Sequence, residues 1–273
     1  VDIACAQILV TLDDTEERRR YLNARATVDT LLKLGAVPVV NENDTVATTE
    51  IRFGDNDRLS ARVAIMAAAD PLMLLSDVDG LYTADPRSDP TAAHIDDVPQ
   101  LTPEIEAMAS GKGSAVGTGG MVSKIAAARL ATRSGCGVLI ADGRDIRPVK
   151  RLAEGARHTL FHAQTSPRKA RKEWIAGSIG SLGVLTVDEG AVRALRGGRS
   201  LLPAGVVGVE GDFARGDAVL VRDTDGETIA KGLSAYDADD ARRIAGHRSE
   251  ETEAILGFRG RDEIIHRDHL VLL

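Results

Sequence analysis

The chain has 273 residues, enough for one large domain or two smaller ones with separate cores. A hydrophobic content of 43% and a charged content of 27% are ordinary for a globular protein, while the net charge of −7 argues against strong non-specific binding to nucleic acid. No apolar run approaches the roughly 20 residues of a membrane span. Cys5 and Cys136 lie far apart without metal-ligand neighbours. These features predict a reduced, cytoplasmic protein with no membrane segment.

The first half of the chain alternates predicted strands and helices. The opening run VDIACAQILV reads as a buried strand, and apolar residues at helical spacing over 15–34 predict a helix ending at Gly35. Further buried strands are predicted at 36–40, 72–75 and 137–141, with intervening helices around Leu59 and after Met121. This alternation predicts a doubly wound, mostly parallel α/β sheet covered on both faces.

The second half has a different pattern. A basic, turn-rich stretch follows the α/β region, and short alternating runs separated by Gly and Asp turns then predict a small β-rich domain of barrel type. The run DADDARRIAGHR is its helix candidate. We therefore divide the chain into an α/β domain (1–155), a linker (156–181) and a β-rich domain (182–273).

The glycine-rich run GTGGMVSK lies just before a predicted helix. Glycines let the backbone approach an anion closely, and the helix N-terminus supplies unpaired N–H groups and a positive dipole end. Lys124 in the first helical turn adds a positive charge, so the run predicts phosphate binding outside the P-loop class. The alternatives are a simple turn and a solvated lysine.

Polar residues follow two of the predicted strands. Ligands of doubly wound sheets bind at the carboxyl ends of the strands, where an acidic and amide-rich segment can hold Mg2+, cationic groups or the ammonium of an amino acid. A solvated loop of turn formers is the alternative. Ser76 and Asp77 end another strand, in a loop suited to a ribose or base. The acidic and amide-rich segment, which follows the strand predicted at 36–40, contains Asn41, Glu42, Asn43, Asp44, Glu50, Asp55, Asn56 and Asp57. The histidines show no metal-ligand spacing, so no protein-only metal site is predicted.

Several sequence segments, in the order in which they occur, resemble those of the glutamate 5-kinases, which are amino-acid kinases that carry a C-terminal PUA domain. They are VPVVNENDTVATTEIRFGDNDRLSA, LLSDVDGLYTADPR, GTGGMVSKIAAA, GRSLLPAGV and RRIAGHRSEE. The resemblance implies ATP-dependent phosphorylation of the γ-carboxylate of L-glutamate. This reaction is the first step of proline biosynthesis. The resemblance also implies the use of Mg2+.

The resemblance assigns roles to residues of this chain. Asp44 and Asn56 resemble the glutamate-binding pair, with Asn41 beside them, and Lys124 resembles the residue that neutralises the transferring phosphoryl group. Asp55 and Asp57 resemble acids that organise Mg2+ and the catalytic lysines. The implied ATP site consists of Ser76, Asp77, Thr118, Gly119, Gly120, Met121, Val122, Ser123 and Lys124.

Members of the resembled family begin with a further segment that carries a first strand, a phosphate-contacting lysine and a glutamate-site serine. We therefore expect this chain alone to have little kinase activity and a sheet edge that promotes association. The resemblance also implies homo-oligomers, feedback inhibition by proline, and transfer of the acyl phosphate to glutamyl-phosphate reductase.

Two alternatives remain open: RNA binding through the β-rich domain, and a non-catalytic regulatory or assembly role. A small basic patch at Arg242, Arg243, His247 and Arg248 favours RNA binding. The aromatic content of 3% and the acidic balance argue against it.

Overall fold

The computed structural model describes residues 2–46, 55–110, 120–177 and 181–273. The chain divides into two compact units, Val1–Ala170 and Arg171–Leu273. Within the described residues, no helix combines the length and the apolar character needed to cross a membrane.

The first unit alternates helices and strands. Its helices are α1 (Leu12–Glu16), α2 (Arg18–Lys33), α3 (Asp55–Ala67), α4 (Pro103–Ser110), α5 (Met121–Arg133) and α6 (Pro148–Ala153). Its strands are β1 (Cys5–Val10), β2 (Val37–Glu42), β3 (Pro71–Ser76), β4 (Leu81–Tyr82), β5 (His94–Ile95), β6 (Asp97–Val98), β7 (Gly137–Asp142) and β8 (His158–Phe161). Helix α7 (Pro167–Gly177) begins in the first unit and ends in the second.

The strands of the first unit pair mainly in parallel, as the sequence predicts. Strand β1 pairs with β2, and a larger sheet has the order β3-β7-β8-β6. The β1–β2, β3–β7 and β6–β8 pairs are parallel, whereas β7–β8 is antiparallel. Strands β4 and β5 form a short antiparallel hairpin. The predicted α/β class is confirmed.

The prediction that the sheet is covered on both faces is correct for β7 and wrong for the other apolar strands. In β7, Val138 and Ile140 are fully buried. In β2, however, Val37 and Val39 are 46% and 51% exposed, and Met73 and Leu75 of β3 are also exposed. An apolar run shows only that both faces are apolar; which elements cover each face is a property of the tertiary structure.

Two helices end just before a left-handed glycine, and the first of these ends is the one predicted at Gly35. Helix α2 ends at Lys33, and Gly35 follows with a φ of +74°. Helix α5 ends at Arg133, and Gly135 has a φ of +89°. Glycine is favoured at both positions because the left-handed conformation costs other residues about 1–2 kcal/mol.

The region predicted as a turn-rich linker contains regular structure. Strand β8 pairs with β7 inside the larger sheet, and the run SPRKARKEW forms most of α7 rather than a loop. The domain boundaries proposed from the sequence stay a prediction.

The second unit is β-rich, as predicted. Its strands are β9 (Gly183–Val187), β10 (Val206–Gly211), β11 (Ala218–Arg222), β12 (Thr228–Leu233) and β13 (Leu270–Leu272). Its helices are α8 (Glu189–Arg196), α9 (Ala238–Ile244) and α10 (Thr252–Leu256). The strands form one sheet in the order β10-β9-β11-β12-β13, around a core that includes Leu185, Val219 and Ile244. Helix α9 is the predicted DADDARRI helix.

A buried threonine connects the β4–β5 hairpin to the larger sheet. The Thr159 hydroxyl accepts a hydrogen bond from the Leu81 N–H at 2.7 Å and donates one to the Ile95 carbonyl at 2.6 Å. We expect Thr159→Val, which keeps the shape but leaves two backbone groups unpaired, to lower the free energy of unfolding by about 1–3 kcal/mol. Urea denaturation measures this loss.

Thr132→Val is the matched control, because Thr132 is also buried but, among the described residues, its hydroxyl bonds only within its own helix, to the Arg129 carbonyl at 3.5 Å. Its loss should stay below about 1 kcal/mol. Equal losses in the two variants would contradict the assigned role of Thr159.

The two cysteines should react at very different rates. Burial, with a contribution from the Asp70 carboxylate, raises the pKa of the Cys136 thiol to about 11, and Cys136 is only 1% exposed. Cys5 is free and exposed. We expect a disulfide reagent at pH 8 to titrate one thiol quickly and the second only in denaturant, since the thiolate is the reactive form. Cys5→Ser should remove the fast reaction; a second fast thiol would contradict this result.

Candidate active site

Three side chains from two helices meet at the start of α5. The Lys124 ammonium lies 3.1 Å from Oδ2 and 3.4 Å from Oδ1 of Asp57, which is on α3. The Ser123 hydroxyl lies 2.5 Å from the same Oδ2. The Lys124 and Asp57 side chains are only 14% and 18% exposed, so this ion pair is largely shielded from solvent. A largely buried lysine held by a carboxylate offers its ammonium at a fixed position.

Small residues explain why the two helices approach closely enough for this contact. Ala61 and Ala64 follow Asp57 at steps of four and three along α3, and both are buried. Ala128 and Ala131 follow Lys124 at the same steps along α5 and are fully buried. The polar side chains therefore lie at one end of an alanine-lined helix contact.

In the part of the chain that the structure describes, no side chain caps the N-terminus of α5. Its N-cap is Gly120, which makes no side-chain capping bond, whereas Thr11, Asp188 and Asp237 cap α1, α8 and α9 with their own oxygens. The N–H groups of a first helical turn attract anions when no side chain caps them. The predicted site residues Thr118 and Gly119 lie outside the described residues, whereas Gly120, Met121 and Val122 start this helix.

Ser76 and Asp77 lie at the carboxyl end of β3, as predicted. The Ser76 hydroxyl donates to Oδ1 of Asp77 at 3.2 Å, and Arg87 donates to Oδ2 at 3.3 Å. The hydrogen bond from Ser76, together with that from Arg87, lowers the pKa of the Asp77 carboxyl. The sequence analysis did not single out Arg87, which lies within a run of turn formers.

A second carboxylate lies at the same edge of the sheet and was missed. Register pairs Ser76 of β3 with Asp142 of β7, and the Gly143 N–H donates to the Ser76 carbonyl at 2.7 Å. Hydrogen bonds from the Arg144 guanidinium lower the pKa of Asp142 to about 2. Asp142 directly follows a strand that was predicted, so its position at this edge was available as a signal.

The residues predicted to bind an amino acid are only partly described. Asn41 lies in β2, one residue before its end, Asp44 lies in the following turn, and Asn56 is in the first turn of α3; all three are exposed. Helix α3 packs against β2, so these residues belong to neighbouring elements. In the described ranges their side chains form no hydrogen bond with one another. The side chain of Asp55 is outside the described part.

An ion-pair cluster that sequence spacing does not reveal fixes α3. Glu16, at the end of α1, accepts hydrogen bonds from Arg62 at 2.6 Å and from Arg58 at 3.3 Å. The partners are 42 and 46 positions apart in the chain, and no motif links them. The cluster ties α1 to the helix that carries Asp57.

The basic patch considered for RNA is engaged within its own unit. Arg242 pairs with Asp239 at 2.7 Å, Arg243 pairs with Asp240 at 3.6 Å, and His247 lies 3.7 Å from Glu251. These acids offset much of the positive charge that the patch would offer to phosphates.

Comparison with known proteins identifies the class to which this fold and site belong. Residues 1–142 match the profile of the amino acid kinase family, and residues 183–256 match that of the PUA domain. The chain is 62% identical over 270 residues to a glutamate 5-kinase of Paramagnetospirillum magneticum, covering 99% of this chain and 73% of that protein. The chain belongs to the glutamate 5-kinase family, which confirms the resemblance found in its sequence motifs.

Two further relatives give the same result. A glutamate 5-kinase of Rhodospirillum rubrum is 59% identical over 270 residues, with 99% of this chain and 72% of that protein covered. One of Allorhizobium ampelinum is 58% identical over 270 residues, with 99% and 69% covered.

Proposed function

We propose that this chain catalyses transfer of the γ-phosphoryl group of ATP to the γ-carboxylate of L-glutamate, forming γ-glutamyl phosphate and ADP, the first step of proline biosynthesis. Family membership supports this reaction. The structural observation that carries the proposal is the Lys124 ammonium, held by Asp57 at the N-terminus of α5, where Gly120 is the N-cap and makes no side-chain capping bond. A fixed cation and the N–H groups of a first helical turn together suit a phosphoryl group.

The chemistry asks for positioning and charge neutralisation. A carboxylate oxygen of glutamate forms the new bond to the γ-phosphorus while the bond to the β,γ-bridging oxygen breaks, and ADP leaves with that electron pair. The attacking carboxylate is already ionised at neutral pH, so no general base is required. The protein has to hold the two substrates in line and stabilise charge on the transferring group.

Each predicted residue has a distinct part in this proposal. Lys124 neutralises negative charge on the phosphoryl oxygens, and Asp57 holds Lys124. The first turn of α5, with Thr118 and Gly119 before it, binds the nucleotide phosphates. Ser76 and Asp77 bind the nucleoside. Asn41, Asp44 and Asn56 bind glutamate, with the Asp44 carboxylate suited to the substrate ammonium.

Mg2+ is part of the proposal as a companion of ATP. The described residues contain no group of three His, Cys, Asp or Glu placed to hold a metal ion. Mg2+ is commonly bound through substrate phosphates with one or two carboxylates, a set that does not require a protein-only cluster. Asp55 remains a predicted ligand, whereas the Asp57 carboxylate is already engaged by Lys124 and Ser123.

The test is glutamate-dependent formation of acyl phosphate from ATP, trapped with hydroxylamine as the hydroxamate. The assay has two arms. One arm contains the chain alone, and the other contains the chain together with a separately made segment of the Paramagnetospirillum relative, the part of that protein that the match does not cover. Hydroxamate that requires glutamate, ATP and Mg2+ in either arm supports the proposal. Its absence in both arms, with no ATP binding by calorimetry, would contradict it. Proline inhibition, homo-oligomers, a reductase partner and the cytoplasmic location stay predictions.

A further inference from the structure

We infer that Ser123 is a positioning residue: its hydroxyl fixes the Asp57 carboxylate, which in turn fixes the Lys124 ammonium. The sequence analysis placed Ser123 among residues that contact the nucleotide. The geometry gives its hydroxyl a different partner, a carboxylate on the neighbouring helix. This inference rests on the proposed role of Lys124 in phosphoryl transfer.

The contact is short and shared. The Ser123 Oγ and the Lys124 Nζ both reach Oδ2 of Asp57, at 2.5 Å and 3.1 Å. A hydroxyl that donates to an ionised carboxylate forms bonds of this length, which are stronger than those between neutral groups. All three groups are partly buried, so water competes weakly for the carboxylate.

Ser123 has a second acceptor in reach, the Gly120 carbonyl at 2.9 Å. Serine hydroxyls in helices often donate to the carbonyl three or four residues earlier, and such a bond would imply no functional role. A hydroxyl has only one proton to donate. The carboxylate is the charged acceptor and lies closer, so the proton goes to Asp57.

The bond restricts how the carboxylate can turn. The terminal torsion of an aspartate is broad, so a carboxylate held by one lysine alone can rotate and carry the ammonium with it. With Oδ2 held by Ser123, the ammonium keeps one position relative to α3. An ammonium has three N–H donors, and those not used by Asp57 remain for phosphoryl oxygens. Misplacement by about 1 Å costs on the order of 10²-fold in rate.

The kinetic test is run in the arm of the hydroxamate assay that is active, and it compares Ser123→Ala with Ser123→Thr, which keeps a hydroxyl. We expect Ser123→Ala to lower kcat about tenfold with little change in the KM for ATP, and Ser123→Thr to restore most of kcat. Ser60→Ala is the matched control, because the hydrogen bonds that the Ser60 hydroxyl makes to described residues all go to backbone carbonyls of its own helix. A hydroxyl that contacts phosphate would instead raise the KM for ATP, and that result would overturn the inference.

A double-mutant cycle separates the route of action. If Ser123 works through Asp57, then Ser123→Ala should have no further effect on kcat in a protein that already carries Asp57→Asn. Full additivity of the two substitutions would contradict a shared route.

A readout independent of kinase activity separates this inference from the proposed function. Lys124 acylation is followed by peptide mass spectrometry, with the exposed Lys150 of the same molecule as internal reference. Ser123→Ala should raise the Lys124 rate several-fold, while Ser123→Thr and Ser60→Ala match the unsubstituted chain. Absence of hydroxamate in both arms of the assay, with no ATP binding, would contradict the proposed function and leave the positioning role untouched. Unchanged Lys124 acylation in Ser123→Ala would overturn the positioning role, whether or not the chain is active.

Discussion

Replacing Lys124 by alanine should lower the kcat of glutamyl phosphate formation by about 10²–10³-fold, the effect expected when a fixed donor to a developing charge is removed. The ammonium is preorganised by Asp57 at 3.1 Å and is largely shielded from water, so its field acts on the phosphoryl group with little screening. The ATP affinity, measured by calorimetry, should fall less than kcat, because the charge matters most in the transition state. The hydroxamate assay measures the rate.

The matched control is Lys150→Ala, since Lys150 is an exposed lysine of α6 paired with Glu154 at 3.5 Å. Its kcat should stay within twofold of the unsubstituted chain, because exposed pairs contribute little. Removal of Lys124 also leaves Asp57 without its cation, so thermal unfolding is followed in parallel. A Lys124→Ala chain that remains folded and retains full kcat would remove Lys124 from the proposed mechanism.

The sequence predicted the main helices and strands because each has a local signature. Helix α5 has helical spacing between a glycine before its first turn and a glycine after its last turn, and the structure has Gly120 at the N-cap and Gly135 in the left-handed conformation after Arg133. The sheet-covering prediction failed for β2 and β3 because exposure of Val39 or Leu75 depends on distant elements. The turn residues and charge of the run SPRKARKEW favour a linker, yet this run forms most of helix α7.

The candidate site shows the same division between local and tertiary information. Sequence motifs single out residues such as Asp57, Ser123 and Lys124. The contact between Asp57 and Lys124, however, joins positions 67 apart in the chain. That contact depends on alanines that let α3 and α5 approach, and no periodicity of either helix alone specifies its partner. The arginines that hold Asp77 and Asp142 were missed for a related reason: an exposed arginine has no signature until its carboxylate is placed.

Gly135→Ala should destabilise the first unit far more than Gly155→Ala, although the two glycines have nearly the same φ angle. Gly135 has a φ of +89° and follows α5, and Gly155 has a φ of +90° and follows α6. Both substitutions place a Cβ on a left-handed residue, which costs about 1–2 kcal/mol. A Cβ at Gly155 meets open space, whereas one at Gly135 would overlap the backbone of Ser166 and Pro167.

The overlap at Gly135 cannot be relieved by turning a side chain, because the atoms it meets belong to the main chain at the start of α7. We therefore expect Gly135→Ala to lose about 3 kcal/mol or more in urea denaturation, and Gly155→Ala to lose only the conformational part. If Gly135→Ala does not accumulate as folded protein while Gly155→Ala does, the contrast still holds. Equal losses would mean that the backbone of 166–167 moves freely away from the end of α5, and that this close approach contributes nothing to holding the helix that carries Lys124.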